Sequence, residues 1–272
     1  MPITSDPFAE LLAAQTQAVR DIYESELLAE FRGLGSWRDS DLADWARASS
    51  SIVVEAESLI AEIADGILDA QIESLLGAVG GNPVDIASVV GPATRGGVPP
   101  EEVYPRAIKT VWRSLGNGNT LEGSINAGAA RISEMFQLDT ERVIDLTAVN
   151  KFANENRIVG YKRVLTGSHN CALCILASTQ TYHKRQLKGI HPRCKCKVSP
   201  VTSFESSKAL DRDLIEQVHA EVAKQFGISD RAARQIDYRK ILMTRGHGEH
   251  GPTLTFRNYN FTGPRGLKTP GE

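Results

Sequence analysis

Apolar residues in the first thirty positions recur three and four apart: Phe8, Leu11, Leu12, Val19, Ile22, Tyr23, Leu27 and Phe31. That spacing gathers them on one face of an α-helix, with Ser5 or Asp6 placed to cap it and Pro7 suited to its first turn. The pattern stops at Gly33-Leu34-Gly35. A second stripe opens at Asp39 or Ser40 and runs through Leu42, Trp45, Ile52, Val53, Leu59, Ile60, Ile63, Ile67, Leu68, Ile72 and Leu75. At about ten turns it is long for a compact domain. It reads as one helix, or as two broken near Ala46–Ser51 or at Gly66. Two roles fit: an extended arm that docks on an assembly, or half of an antiparallel hairpin that hides its own stripe.

From Gly77 to Pro100 the Gly/Pro-rich composition predicts loop. Helical periodicity resumes over Glu101–Leu115, Thr120–Phe136 and Asp139–Asn156, with Thr120 and Asp139 as expected N-caps and Pro105 in a first turn or at a kink. Alternation at Val159, Tyr161, Arg163 and Leu165 predicts a short strand, and Lys197–Val201 a second. Asp211–Gly227 is an amphipathic pattern with Leu214, Val218, Val222 and Phe226 on one face, and Ser229–Leu242 is read as one more helix. The stretch from Gly246 to Glu272 has few apolar anchors and is expected to be mobile or ordered only against a partner. The expected fold is mainly α: an acidic helical arm region (1–100), a helical region (101–158), a small α+β Cys/His module (159–202), C-terminal helices (203–243) and an extended tail (244–272).

Charge sharpens this division. The chain of 272 residues has a formal net charge of −2, yet residues 1–100 carry sixteen Asp/Glu against five Arg and no Lys. Residues 157–200 carry nine Lys/Arg and no acid. An acidic helical part and a basic part are expected to meet different partners. No apolar run reaches membrane-spanning length, and the N-terminus shows no basic start followed by an apolar stretch. A reducing cytoplasm is therefore expected, where clustered cysteines mean metal more often than disulfide.

All four cysteines fall between residues 171 and 196. Cys171-x-x-Cys174 has the spacing of a knuckle that turns two thiolates toward one ion. His191-x-x-Cys194 repeats the spacing with an imidazole and a thiolate, and Cys196 follows two positions on. Zinc takes four such ligands in a tetrahedron, so five candidates compete for four places: Cys171, Cys174 and Cys194, with either His191 or Cys196. A fully ligated ion leaves no open position for water and is structural, a staple for a segment too small to hold a core alone. Two disulfides would call for export, and a thioredoxin-like pair for a βαβ setting; neither is signalled. Around the staple, Lys184, Arg185, Lys188, Arg193, Lys195 and Lys197 form a basic rim. They either contact nucleic-acid phosphates or offset the thiolates and acidic helices nearby.

The run Arg163–Cys174, continued by Tyr182–Val201 with its "GIHPRCKC", resembles the Cys/His module of the phage Mu protein F-like family, minor head proteins of tailed bacteriophages. The "VPPEEVYPRAIKTVW" block (98–112) and the helical N-terminal region are similar to the corresponding parts of such proteins from phages of actinobacteria. The resemblance implies a role in head morphogenesis. It implies assembly in the host cytoplasm into the virion head, with portal, scaffold and major capsid proteins as partners and phage DNA as a further one. It transfers Cys171, Cys174, His191, Cys194 and Cys196 as zinc ligands, and no catalytic residue. Some relatives are labelled capsid maturation proteases, so that activity is the alternative. Ser168, His169, Ser178 and His183 lie near the module, but no G-x-S-x-G elbow is present. A nuclease using His183 or His191 would lack acidic metal ligands, and Gly116–Thr120 lacks a phosphate-loop lysine.

Overall fold

Asp6 accepts hydrogen bonds from the Phe8 and Ala9 N–H groups at 3.1 and 3.2 Å, so the first helix starts where the sequence places its cap. The protein is described by a computed structural model covering residues 6–77, 83–166, 174, 177–178, 181–184, 195–203, 216, 220, 223, 242–247 and 251–256. These contain helices α1 (Pro7–Arg32), α2 (Asp39–Leu76), α3 (Pro100–Val103), α4 (Arg106–Gly116) and α5 (Leu121–Asn154). Short 3-10 turns at Ile86–Ser88 and Gly91–Arg95 join α2 to α3. Strands are β1 (Gly160–Val164), β2 (Thr181–His183), β3 (Lys197–Val201), β4 (Leu242–His247) and β5 (Gly251–Phe256). The described fold is thus mainly helical with a small sheet.

The chain divides into two compact units. One runs from Ala14 to Glu155 and holds the long helices; the other takes the described residues from Asn156 onward together with the start of α1 through Ala13. The helical unit joins stretches that the sequence reading separates at residue 100.

α2 is one unbroken helix of 38 residues, intact through Ala46–Ser51 and Gly66. Its end is set by Gly77, whose left-handed conformation (φ 67°) lets its N–H close on Glu73 O at 2.8 Å. α1 runs back along α2: Phe31 packs on Trp45 with ring centroids 5.2 Å apart, and Tyr23 OH donates to Glu55 Oε1 at 3.1 Å. α2 itself packs chiefly on α5, so most of the long stripe is covered, with Leu59 and Leu75 left exposed. In the turn, Asp41 accepts from the Ser36 and Trp37 N–H groups and the Ser36 hydroxyl, and these bonds, Ser36's first, hold its carboxyl below the ordinary value.

α5 is the central element, packed against both α2 and α4. Thr120 caps it as expected, its hydroxyl accepting from Gly123 N at 3.2 Å. Asp139 corrects the expected second cap. It sits inside a continuous 34-residue helix, on the buried face that also presents Ile132, Phe136, Val143 and Ile144. Pro105 marks the joint between α3 and α4, immediately before Arg106. The core gathers Leu27, Phe31, Trp45, Val53, Tyr104, Ile108, Val111, Ile132 and Phe136 from all five helices except α3.

In the second unit β1 is central in a three-stranded antiparallel sheet of order β2-β1-β3, with Tyr161 opposite both Tyr182 and Pro200. Both predicted strands are present. β3 is an edge strand, so Pro200 costs no ladder bond on its outer side. β4 and β5 form an antiparallel hairpin in register from Leu242↔Phe256 to His247↔Gly251. That corrects two expectations: the last predicted helix does not reach Leu242, and the tail is paired backbone as far as Phe256. The expected helix at 211–227 falls almost wholly outside the described residues.

Candidate functional site

The described residues that flank the Cys/His segment lie on the β1–β3 pair. Val164 stands opposite Lys197, and Thr166 Oγ1 donates to Lys195 O at 2.5 Å, so the end of β1 is fastened to the chain leading into β3. This places Cys196 at the base of the sheet. Cys174 and Cys196 are thiols, not half-cystines, and both are buried. The Arg163 guanidinium, itself buried, donates to Cys196 Sγ at 3.6 Å. Tyr161 and Tyr182 stack beside it with centroids 5.2 Å apart. Burial pushes the Tyr182 phenol up, partly opposed by Arg163.

Cys171, His191 and Cys194 lie outside the described residues, as do Arg185, Lys188 and Arg193. Among the described residues no group of three His, Cys, Asp or Glu side chains converges as a metal site. Two buried thiols with a cation on one of them fit the donor chemistry zinc selects. Of the basic rim, Lys195 is exposed and Lys184 half-buried, while Lys197 is buried within β3. Lys197 is thus not an open phosphate contact, since all five residues of β3 are buried on both of its faces. Ser178 lies in a helical turn and His183 at the exposed end of β2; Ser168 and His169 are outside the described residues.

The helical unit holds a second constellation that local sequence reading misses. Glu57 of α2 is fully buried. Its Oε2 accepts from Gly91 N at 2.5 Å, and its Oε1 from Arg95 Nη2 at 2.7 Å and Thr94 Oγ1 at 3.3 Å. The same Arg95 nitrogen donates to Asp139 Oδ2 at 2.5 Å, and Tyr104 OH donates to that oxygen at 3.0 Å. Burial pushes the Glu57 carboxyl up to about 7, against the pull of Arg95. Burial likewise raises Asp139, with Arg95 opposing, and raises the Tyr104 phenol well above its ordinary value. Tyr104 is therefore a neutral donor. The cluster pins the Gly91–Arg95 turn, the α3–α4 joint and α5 to α2. The available signal was a charge on an apolar stripe: Glu57 lies among Val53, Ala56, Ile60 and Ala61.

Two further buried ion pairs reach α5. Arg20 Nη2 meets Glu141 Oε1 at 2.7 Å while its Nε donates to Thr140 Oγ1. Lys151 Nζ, fully buried, lies 2.6 Å from Asp65 Oδ1 and 2.8 Å from Asp69 Oδ1, ion-pair contacts whose angles fall outside hydrogen-bond geometry. No family model, curated protein or solved structure matches this chain.

Proposed function

We propose that the chain is a minor head morphogenesis protein of a tailed bacteriophage, stapled by a structural zinc. Its partners on this reading are the portal, scaffold and major capsid proteins, with phage DNA as a further contact. The observation that carries it is the spacing Cys171-x-x-Cys174 with His191-x-x-Cys194-x-Cys196 in a segment free of acids. Burial of Cys174 and Cys196 as thiols, with Arg163 on the latter, supports it. Cys171, Cys174 and Cys194 would hold the ion with His191 or Cys196. When bound, zinc supplies a fixed tetrahedral cross-link and no open position. The protein residues do the rest: the β1–β3 ladder fixes the approach of Cys196, and Arg163 balances its charge. Of the described rim cations, Lys195 is the exposed one that DNA would meet.

The test is metal analysis of the purified chain beside a Cys171→Ser/Cys174→Ser variant. About one zinc per chain is expected, lost in the variant together with a lowered melting temperature. A zinc-free wild type that melts like the variant would sink the metal reading. Co-expression with portal, scaffold and coat proteins tests the assignment to the head: the chain should co-purify with procapsids at low copy, and its absence from them overturns that assignment.

A further inference from the structure

The helical unit contains a cleft of about 230 Å³ walled by arginines. Arg131 and Arg142 line it from one face of α5, Arg106 from the first residue of α4, and Arg95 from below; Asp139 is the one carboxylate on its wall. Val98, Val103 and Met135 give it an apolar lining between the cations. We propose that this cleft is a binding site for a small phosphate-type oxyanion, inorganic phosphate or the phosphate of a small monoester.

Arg106, Arg131 and Arg142 stand exposed around this space, Arg95 is already paired with Glu57 and Asp139, and the one carboxylate on the wall, Asp139, is engaged by Arg95 and Tyr104. Like charges brought together without counter-charge are unfavourable unless an anion completes the set. Arg106 and Arg131 have no carboxylate partner among the described residues. Arg142 is held in place by donating Nη1 to Thr94 O at 2.9 Å, which leaves the rest of its fork for a ligand. Arg95 anchors the inner wall: its side chain is only 5% exposed, and its two terminal nitrogens are held by Glu57, Asp139, Gly91 and Thr94.

Planar guanidinium forks match the oxygens of phosphate bidentately, which favours phosphate over chloride. The volume sets the class. It lies below the range of about 300–1,000 Å³ typical of sites that enclose drug-sized ligands, so it suits a phosphate with few further atoms. A nucleic-acid backbone would meet only the exposed rim. The site lies wholly in the helical unit and stands whether or not the Cys/His module holds metal.

The experiment is calorimetric titration of the full chain with inorganic phosphate at constant ionic strength, with sulfate and chloride as comparisons and a short DNA duplex as a separate titrant. Saturable phosphate binding is expected, competed by sulfate but not by chloride. The Arg106→Gln/Arg131→Gln variant should weaken it about tenfold or more while its circular dichroism and melting temperature without phosphate stay at wild-type values. Absence of saturable binding up to about 10 mM phosphate overturns the site, as does wild-type affinity in the variant. Duplex binding lost in the variant without phosphate binding would reassign the arginines to a nucleic-acid rim and equally overturn it. If the double variant does not fold, Arg131→Lys takes its place: it keeps the charge but loses the fork, and unchanged phosphate affinity there refutes the proposal.

Discussion

Replacing Gly128 with alanine tests the closest approach in the helical core. A Cβ at this position would stand 2.6 Å from Phe31 Cζ, 2.8 Å from Val111 Cγ2 and 3.0 Å from Phe31 Cε1. Carbon atoms rest at about 3.5–4.0 Å, so both side chains must retreat by about 1 Å. Phe31 has little room to do so. It is fully buried, with Trp37 edge-on at 4.9 Å and Trp45 at 5.2 Å. Forced overpacking of this kind costs about 1–3 kcal/mol, while Gly→Ala inside a helix returns about 1 kcal/mol. Because the neighbours are held, the upper part of the overpacking range applies, and Gly128→Ala should destabilise by about 1–2 kcal/mol. Gly66→Ala supplies the contrast: the site is exposed, mid-helix, with nothing within 4 Å of the added carbon, so the same substitution should stabilise by up to about 1 kcal/mol. Urea unfolding followed by far-ultraviolet circular dichroism reads both, given unchanged slopes with denaturant. A double-mutant cycle with Phe31→Leu should show favourable coupling of about 1 kcal/mol, since the smaller side chain makes room. If Gly128→Ala proves as stabilising as Gly66→Ala, Phe31 does not pack on α5 as described.

Two other perturbations probe the buried charges. Lys151→Met leaves Asp65 and Asp69 facing each other without their cation and should cost about 3 kcal/mol, the low end for a broken buried pair because Asp69 keeps partial solvent access. Adding Asp65→Asn and Asp69→Asn should restore most of it in the same urea assay, and no restoration would refute the pairing. Glu57 is held up near 7 against an ordinary 4.5, so the folded chain keeps a proton that the unfolded chain releases. Stability should therefore fall as pH rises from about 4.5 to 7 and level off above that window. Asp139, whose carboxyl burial also raises, acts in the same direction. Glu57→Gln should flatten the decline between pH 5 and 7, and parallel wild-type and variant profiles would show that Glu57 is not the group responsible.

The helical part of the fold was legible because its information is local. The 3.6 periodicity of Leu27, Phe31, Trp45 and Ile52, and caps such as Asp6 and Thr120, act within a turn or two of the chain. Asp139 misled for the same reason. After Phe136-Gln137-Leu138 an Asp-Thr pair has the local look of a helix start, yet the partners of Asp139, Tyr104 and Arg95, come from far along the chain. A carboxylate in register with Phe136 and Val143 is a core position whose counter-charge must come from elsewhere; the stripe says where it points but not what meets it. The hairpin of β4 and β5 was illegible differently. Its order rests on backbone pairing, which a segment poor in apolar anchors does not advertise.

The ion pairs on α5 carry an argument that composition cannot. A helix whose buried face alternates Ala, Gly, Ile, Val and Thr can slide one turn, about 5.4 Å, and still bury an apolar stripe. It cannot slide and keep Arg20 on Glu141, Arg95 on Asp139 and Lys151 between Asp65 and Asp69. Each pair adds little net stability against a hydrophobic replacement but makes wrong registers expensive, because a slip strands a buried charge. On this reasoning the Lys151→Met/Asp65→Asn/Asp69→Asn protein regains free energy without regaining a unique packing. Its amide spectrum should then broaden even where its unfolding midpoint recovers, and sharp wild-type-like resonances would show that the apolar contacts alone choose the register.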